Sequence, residues 1–192
     1  MDANGAPEDE LVVLLDDDRR PTGTMPKHLV HGTDTPLHLA FSVYVFDADG
    51  RFLATRRAVG KRTWPGVWTN SCCGHPGPGE PLEDAAARRL GQELRLDVVD
   101  LRVALPDFAY RAVSPEGLVE NEFCPVLVAR TDADPDPDPE EVGQWQWVDW
   151  AGYTGTAANA PWALSPWSAE QALLLAQVPI VEVLMAEVPA SR

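Results

Sequence analysis

Apolar positions along this chain gather into short runs separated by turn chemistry. Leu11 to Leu15 has the length and make-up of a strand. Leu37 to Phe46, LHLAFSVYVF, is a stronger run, and the turn residues Asp47 to Gly50 end it. Arg51 to Arg57 then reads as the returning arm of a hairpin. Trp64 to Trp68, WPGVW, reads as a rigid loop and Thr69 to Cys73 as a short strand. Val103 to Val113 and Leu118 to Arg130 are further strands, joined by a turn at Ser114 to Gly117, and Gln144 to Val148 is another.

Helical spacing is clearest between Pro81 and Leu96. Leu82, Ala86, Leu90 and Leu94 recur every fourth residue, and Glu83 and Asp84 suit a helix N-terminus. A final helix starts near Ser165 and Pro166, a capping serine followed by a proline suited to the first turn. Many strands with one central and one terminal helix predict an α+β fold. The expectation is one domain over residues 11–188, a mixed β-sheet with flanking helices, behind a disordered N-terminal tail at residues 1–10.

Charge narrows the function. The chain has 192 residues, with 30 acidic and 15 basic side chains, for a net charge of -15. That argues against nucleic acid as a partner, because phosphate backbones recruit basic surfaces. The start, MDANGAPEDE, is acidic and lacks the apolar run of a signal peptide. The longest apolar-rich segment, Ala172 to Val188, is broken by Gln177, Pro179 and Glu182, so no membrane span is expected. Cys72, Cys73 and Cys124 are odd in number, which disfavours a disulfide framework. These features predict a soluble cytoplasmic protein, a monomer or weak oligomer.

The candidate chemistry is local. Within TNSCCGHPGPGE, residues 69–80, the part from Gly74 to Glu80 is a glycine-rich loop feeding the central helix, an arrangement that lets backbone N–H groups approach phosphate oxygens. Adjacent strand residues face opposite ways, so Cys72 and Cys73 cannot easily share one role. Arg89 and Glu93 share a helix face, either as a surface ion pair or as part of a phosphate site. Glu120 and Glu122 are two apart on a strand and share a face, which either looks to solvent or converges on an ion. With His31, His38 and His75 they form a mixed N/O set suited to Mn or Mg, with Zn as a third option. Asp132 to Glu141, DADPDPDPEE, reads as a solvated connector.

Gly74 to Leu96 resembles the Nudix signature, with departures. Arg89 and Gln92 stand where that signature has glutamates, and Arg95 where it has a late glycine; Glu93 alone remains of the paired glutamates. This resemblance implies diphosphate binding more than hydrolysis. The segments PTGTMPKH, HGTDTPLHLAFS, TRRAVGKRTWPGVWTNSCCGHP, YRA, ENEFCPV and SPW together resemble the type 1 isopentenyl-diphosphate isomerases, a Nudix-fold family. The resemblance implies isomerisation of isopentenyl diphosphate to dimethylallyl diphosphate in isoprenoid biosynthesis. It implies Cys73 and Glu122 as catalytic groups on opposite faces of the double bond, with Tyr110 assisting. It assigns His31, His38, His75, Glu120 and Glu122 to one metal ion, and Glu93 to a Mg2+ bound with the substrate diphosphate. It places Lys27, Arg57, Lys61 and Arg89 on the diphosphate, and Trp167 against the cationic carbon. His28 is left as surface and Cys124 as packing.

Overall fold

The protein is described here by a computed structural model covering residues 10–179. Of the expected tail at 1–10, residues 1–9 lie outside the described residues, as do the end of the apolar segment and the domain's end at 188; Glu10 is not a free tail residue, because its carboxylate pairs with Lys27. In chain order the elements are β1 (Leu11–Leu15), β2 (Pro21–Pro26), α1 (Lys27–Val30), β3 (His38–Leu39), β4 (Phe41–Phe46), β5 (Phe52–Arg57), β6 (Trp68–Thr69), β7 (Cys72–Gly74), α2 (Leu82–Leu94), β8 (Val99–Leu105), β9 (Ala109–Val113), β10 (Val119–Phe123), β11 (Val126–Arg130), β12 (Val142–Val148), α3 (Trp150–Asn159), a 3-10 turn at Pro161–Ala163, and α4 (Pro166–Leu175).

The strands form two mixed sheets. One runs β2-β1-β3-β10-β9; the other runs β12-β5-β4-β11-β8, with β6 on β5 and β7 on β4. Each of the three longest expected strands divides between the two sheets. Leu37 to Phe46 splits at Ala40 into β3 and β4. The run ending at Val113 breaks at Pro106–Phe108 into β8 and β9, and Leu118 to Arg130 breaks at Cys124–Pro125 into β10 and β11. Pro106 and Pro125 have no N–H for a ladder, so pairing stops where they sit. Continuity is kept across one seam by Ala40 N–H donating to the Phe123 carbonyl and Ser42 N–H to that of Pro125. Apolar runs cannot show such a change of sheet, because the side-chain alternation continues through it.

Every residue of β4 is buried. Phe41, Val43 and Val45 pack with Leu90 and Leu94 of α2, whereas Tyr44 and Phe46 pack with Tyr153 of α3 and Leu175 of α4. Burial on both faces explains the nearly unbroken apolar run in this strand. Helix α2 starts one residue later than expected, with Pro81 as the flanking residue, and stops at Leu94 because Arg95 turns left-handed (φ 50°). Its last carbonyls are met by the acidic segment: Asp136 N–H donates to Leu94 and Asp138 N–H to Glu93, at 2.9 and 2.8 Å. Asp132 to Glu141 is therefore tied to the fold rather than a free connector. Helix α3 carries Gly152 and Gly155, which hide it from propensity; burial of Tyr153 and Ala157 and capping by Asp149 hold it.

Candidate active site

Strand pairing assembles the first part of the site. Glu122 on β10 lies opposite His38 of β3 on one side and Tyr110 of β9 on the other. His31 follows α1 and His75 follows β7. Donor atoms of His31, His38, His75 and Glu122 lie within 4.8 Å of one another. Glu122 Oε1 is 3.2 Å from His75 Nε2 and 3.4 Å from His38 Nε2, and Glu120 Oε2 is 2.7 Å from His31 Nε2. Glu120 and Glu122 are both buried, so their shared face looks inward.

This cluster fits a divalent ion on its own donor chemistry. His38 Nδ1 donates to the Pro36 carbonyl at 2.9 Å, which turns the lone pair of Nε2 toward the cluster. Nε2 of His31, Nε2 of His38 and Oε2 of Glu120 are buried without a partner of hydrogen-bond geometry, despite the short His31–Glu120 approach. Buried lone pairs facing one another are costly unless a metal cation or a proton lies among them. The charges agree. Burial pushes the Glu122 carboxyl up, but the three imidazoles outweigh it and hold the group well below the carboxylate range. Burial pushes His31 down, yet Glu120 and Glu122 raise it to about 9, so this ring carries positive charge where metal is absent. Burial holds His75 below its ordinary range despite Glu122, favouring the neutral ligand form.

Cys73 enters from the other sheet, on β7 opposite Ser42 of β4. Its sulfur lies 3.5 Å from Ser42 Oγ and 3.3 Å from Asn70 Oδ1. Burial pushes the thiol up to about 11, against the hydrogen bonds from Ser42 and Asn70. Cys72 points the opposite way, buried against α2 with its sulfur 3.5 Å from Glu93 Oε2. Asn70, fully buried, also accepts from Trp167 Nε1 at 3.1 Å and from Thr69 Oγ1 at 2.9 Å, and donates to the Cys72 and Val43 carbonyls. One amide thus orients both the thiol and the indole. The Trp167 ring lies 5.6 Å from that of Tyr110, whose hydroxyl donates to Glu122 Oε2 at 2.9 Å.

Cations gather at the other end. The Arg57 guanidinium sits 5.6 Å from the Trp167 ring centre and donates to the Thr63 carbonyl. Lys27 pairs with Glu10 at 2.7 Å, Lys61 with Glu141, and Arg89 with Glu93. The Arg89–Glu93 pair is buried, not a surface pair. Gly74 lets this end close: a Cβ there would lie 2.8 Å from both Arg89 Cγ and Phe41 Cζ. Arg88 instead clamps the loop, donating to both oxygens of Glu80 at 2.8 and 2.9 Å.

One cavity of about 600 Å³ joins these parts. All the expected site residues line it except His38, which stands fully buried behind Glu122. His28 is exposed at the rim, and Cys124 is buried behind Ser42. Sequence reasoning missed Asn70, Ser42, Thr63, Glu10 and Glu141. Asn70 falls inside the WPGVWTNSCCGHP string and was the most findable.

The two sheets and the loop–helix unit define a Nudix domain, and the NUDIX domain family model matches residues 36–170. A solved Deinococcus radiodurans structure shares the fold, with TM-score 0.67 at 19% identity over 86% of this chain and 98% of that one. The MutT protein of Methanosarcina mazei does so with TM-score 0.56 at 19% identity, over 74% and 96%. Curated relatives named isopentenyl-diphosphate Delta-isomerase are far more similar. The one from Frankia alni is 66% identical over 85% of this chain and 84% of its own. The one from Mycolicibacterium vanbaalenii is 58% identical over 86% and 91%. The chain belongs to the isopentenyl-diphosphate Delta-isomerase family, and it is an enzyme.

Proposed function

We propose that the cavity interconverts isopentenyl diphosphate and dimethylallyl diphosphate, with Cys73 and Glu122 as the proton-transfer pair. The observation that carries this reading is their placement: the two groups come from different sheets and face one cavity. One delivers a proton to the terminal methylene and leaves a tertiary cation-like carbon. The other takes a proton from the carbon on its diphosphate side. In the metal-free protein Cys73 holds its proton and Glu122 does not, so the pair offers one proton to deliver and one base to receive the other. After transfer the roles are exchanged, and solvent resets them. Tyr110 donates a hydrogen bond to Glu122 and orients its carboxylate for proton transfer. The Trp167 face stabilises the cation by roughly 0.5–2 kcal/mol without offering a nucleophile that would trap it.

Lys27, Arg57, Lys61 and Arg89 hold the diphosphate. Glu93 would hold Mg2+ bound with it, and His31, His38, His75, Glu120 and Glu122 would hold a second ion, Mn2+ or Mg2+ with Zn2+ as a third option. That second ion supplies positive charge that sets the acidity of Glu122. The enzyme is read as cytoplasmic, serving isoprenoid biosynthesis as a monomer or weak oligomer without nucleic acid. No helix among the described residues is long and apolar enough to cross a membrane. Incubation with isopentenyl diphosphate should yield dimethylallyl diphosphate with no release of phosphate. Phosphate release without that product would make the chain a hydrolase instead.

A further inference from the structure

The acidic segment has a consequence for the cationic end of the cavity. It ends in Glu141, whose half-buried side chain reaches between Lys61 and Arg89. Glu141 contacts Lys61 Nζ through one oxygen and lies 3.5 Å from Arg89 Nη2 through the other. Arg89 Nη2 is also the nitrogen that contacts Glu93. Two carboxylates from different elements therefore share one guanidinium nitrogen, and a lysine completes the group. Burial works against charge on Glu141, but Lys61 and Arg89 hold its carboxyl below the ordinary range, so it stays anionic. The backbone bonds from Asp136 and Asp138 to the end of α2 fix the approach of this segment.

We propose that Glu141 makes this end of the cavity selective for a metal-complexed diphosphate over a bare one. This rests on the reading of Lys61 and Arg89 as the diphosphate seat. A diphosphate that takes Lys61 and Arg89 draws away the guanidinium that Glu141 and Glu93 share and the ammonium that Glu141 holds. The two carboxylates are then left beside a polyanion, and like charges at that range repel strongly unless a cation comes with the ligand. A divalent ion arriving with the diphosphate replaces the lost positive charge. Glu141 thus couples the two ligands, so that each binds weakly alone and well together, and by linkage the coupling is reciprocal.

The test is calorimetric titration of the full chain with inorganic pyrophosphate, with and without Mg2+, in wild type, Glu141→Gln and Glu140→Gln. Gln keeps the shape of Glu141 while removing its charge and one of its two acceptor oxygens, and exposed Glu140 serves as the neighbouring control. In Glu141→Gln, metal-free pyrophosphate should bind about tenfold tighter, and the enhancement by Mg2+ should shrink by a similar factor. Glu140→Gln should match wild type. Unchanged or weaker metal-free binding in Glu141→Gln, with wild type still binding Mg2+-pyrophosphate, would overturn the role of Glu141 alone. Failure of wild type to bind pyrophosphate even with Mg2+ would overturn the diphosphate seat and the proposal with it.

Discussion

Cys72 and Cys73 are adjacent on β7, and their sulfurs meet different partners: Glu93 for Cys72, Asn70 and Ser42 for Cys73. Cys73 faces the cavity beside Asn70 and Ser42, while Cys72 packs under α2. Cys73→Ala should lose nearly all turnover, and Cys72→Ala should keep most of it at a stability cost near 1 kcal/mol. Comparable losses in a steady-state assay would refute the assignment. The thiol also makes a pH prediction. Its folded value, about 11, lies above the ordinary 9.0, so its contribution to stability is fully present below 9.0 and is lost as pH rises through about 11. Alkylation of Cys73 by iodoacetamide, followed by peptide mass spectrometry, should therefore still be rising at pH 10. A plateau by pH 9 would show a lower thiol pKa. At this scale the sequence was highly legible, because alternation separates neighbouring cysteines. The motif string contains Asn70 without showing its role, which depends on Trp167, distant along the chain but 3.1 Å away.

The helices show what an element-level pattern carries. Helix α4 was readable from Ser165 and Pro166, and the serine does cap it, accepting from Ser168 N–H. Ser165 Oγ also meets Thr69 Oγ1 at 2.8 Å, tying the helix that bears Trp167 to the strand before Cys73. Ser165→Ala should cost about 1–2 kcal/mol, read from the urea midpoint at constant slope. An unshifted midpoint would contradict the cap. The long strands were legible as apolar runs but not as crossings between sheets. That distinction matters because β3, β9 and β10 carry His38, Tyr110, Glu120 and Glu122 on one sheet, while β7 carries Cys73 on the other. Composition makes the acidic segment look like a solvated connector because it reports solvation, not the backbone bonds that Asp136 and Asp138 make.

Across the whole molecule, the His/Glu cluster joins segments far apart in sequence. An ion held there should act as a cross-link and raise the melting temperature. At a hundredfold excess over its dissociation constant it would add about 2.7 kcal/mol. Mn2+ added to the chelator-treated protein should raise the melting temperature, and Glu120→Gln should show a smaller rise at the same concentration. Equal rises in both would remove Glu120 from the ligand set. The fold class was legible from the order of elements, whereas the candidate site residues came from the family resemblance, since His31, His38 and His75 have no informative spacing; the cavity that joins them exists only once both sheets are formed. The central claim is that Cys73 and Glu122 exchange protons with substrate carbon across that cavity. Incubation with isopentenyl diphosphate in heavy water, followed by mass spectrometry of both diphosphates, tests it most directly. Wild type should place deuterium on carbon in the dimethylallyl product, and Cys73→Ala should place almost none. Dimethylallyl diphosphate formed without carbon-bound deuterium would contradict the account.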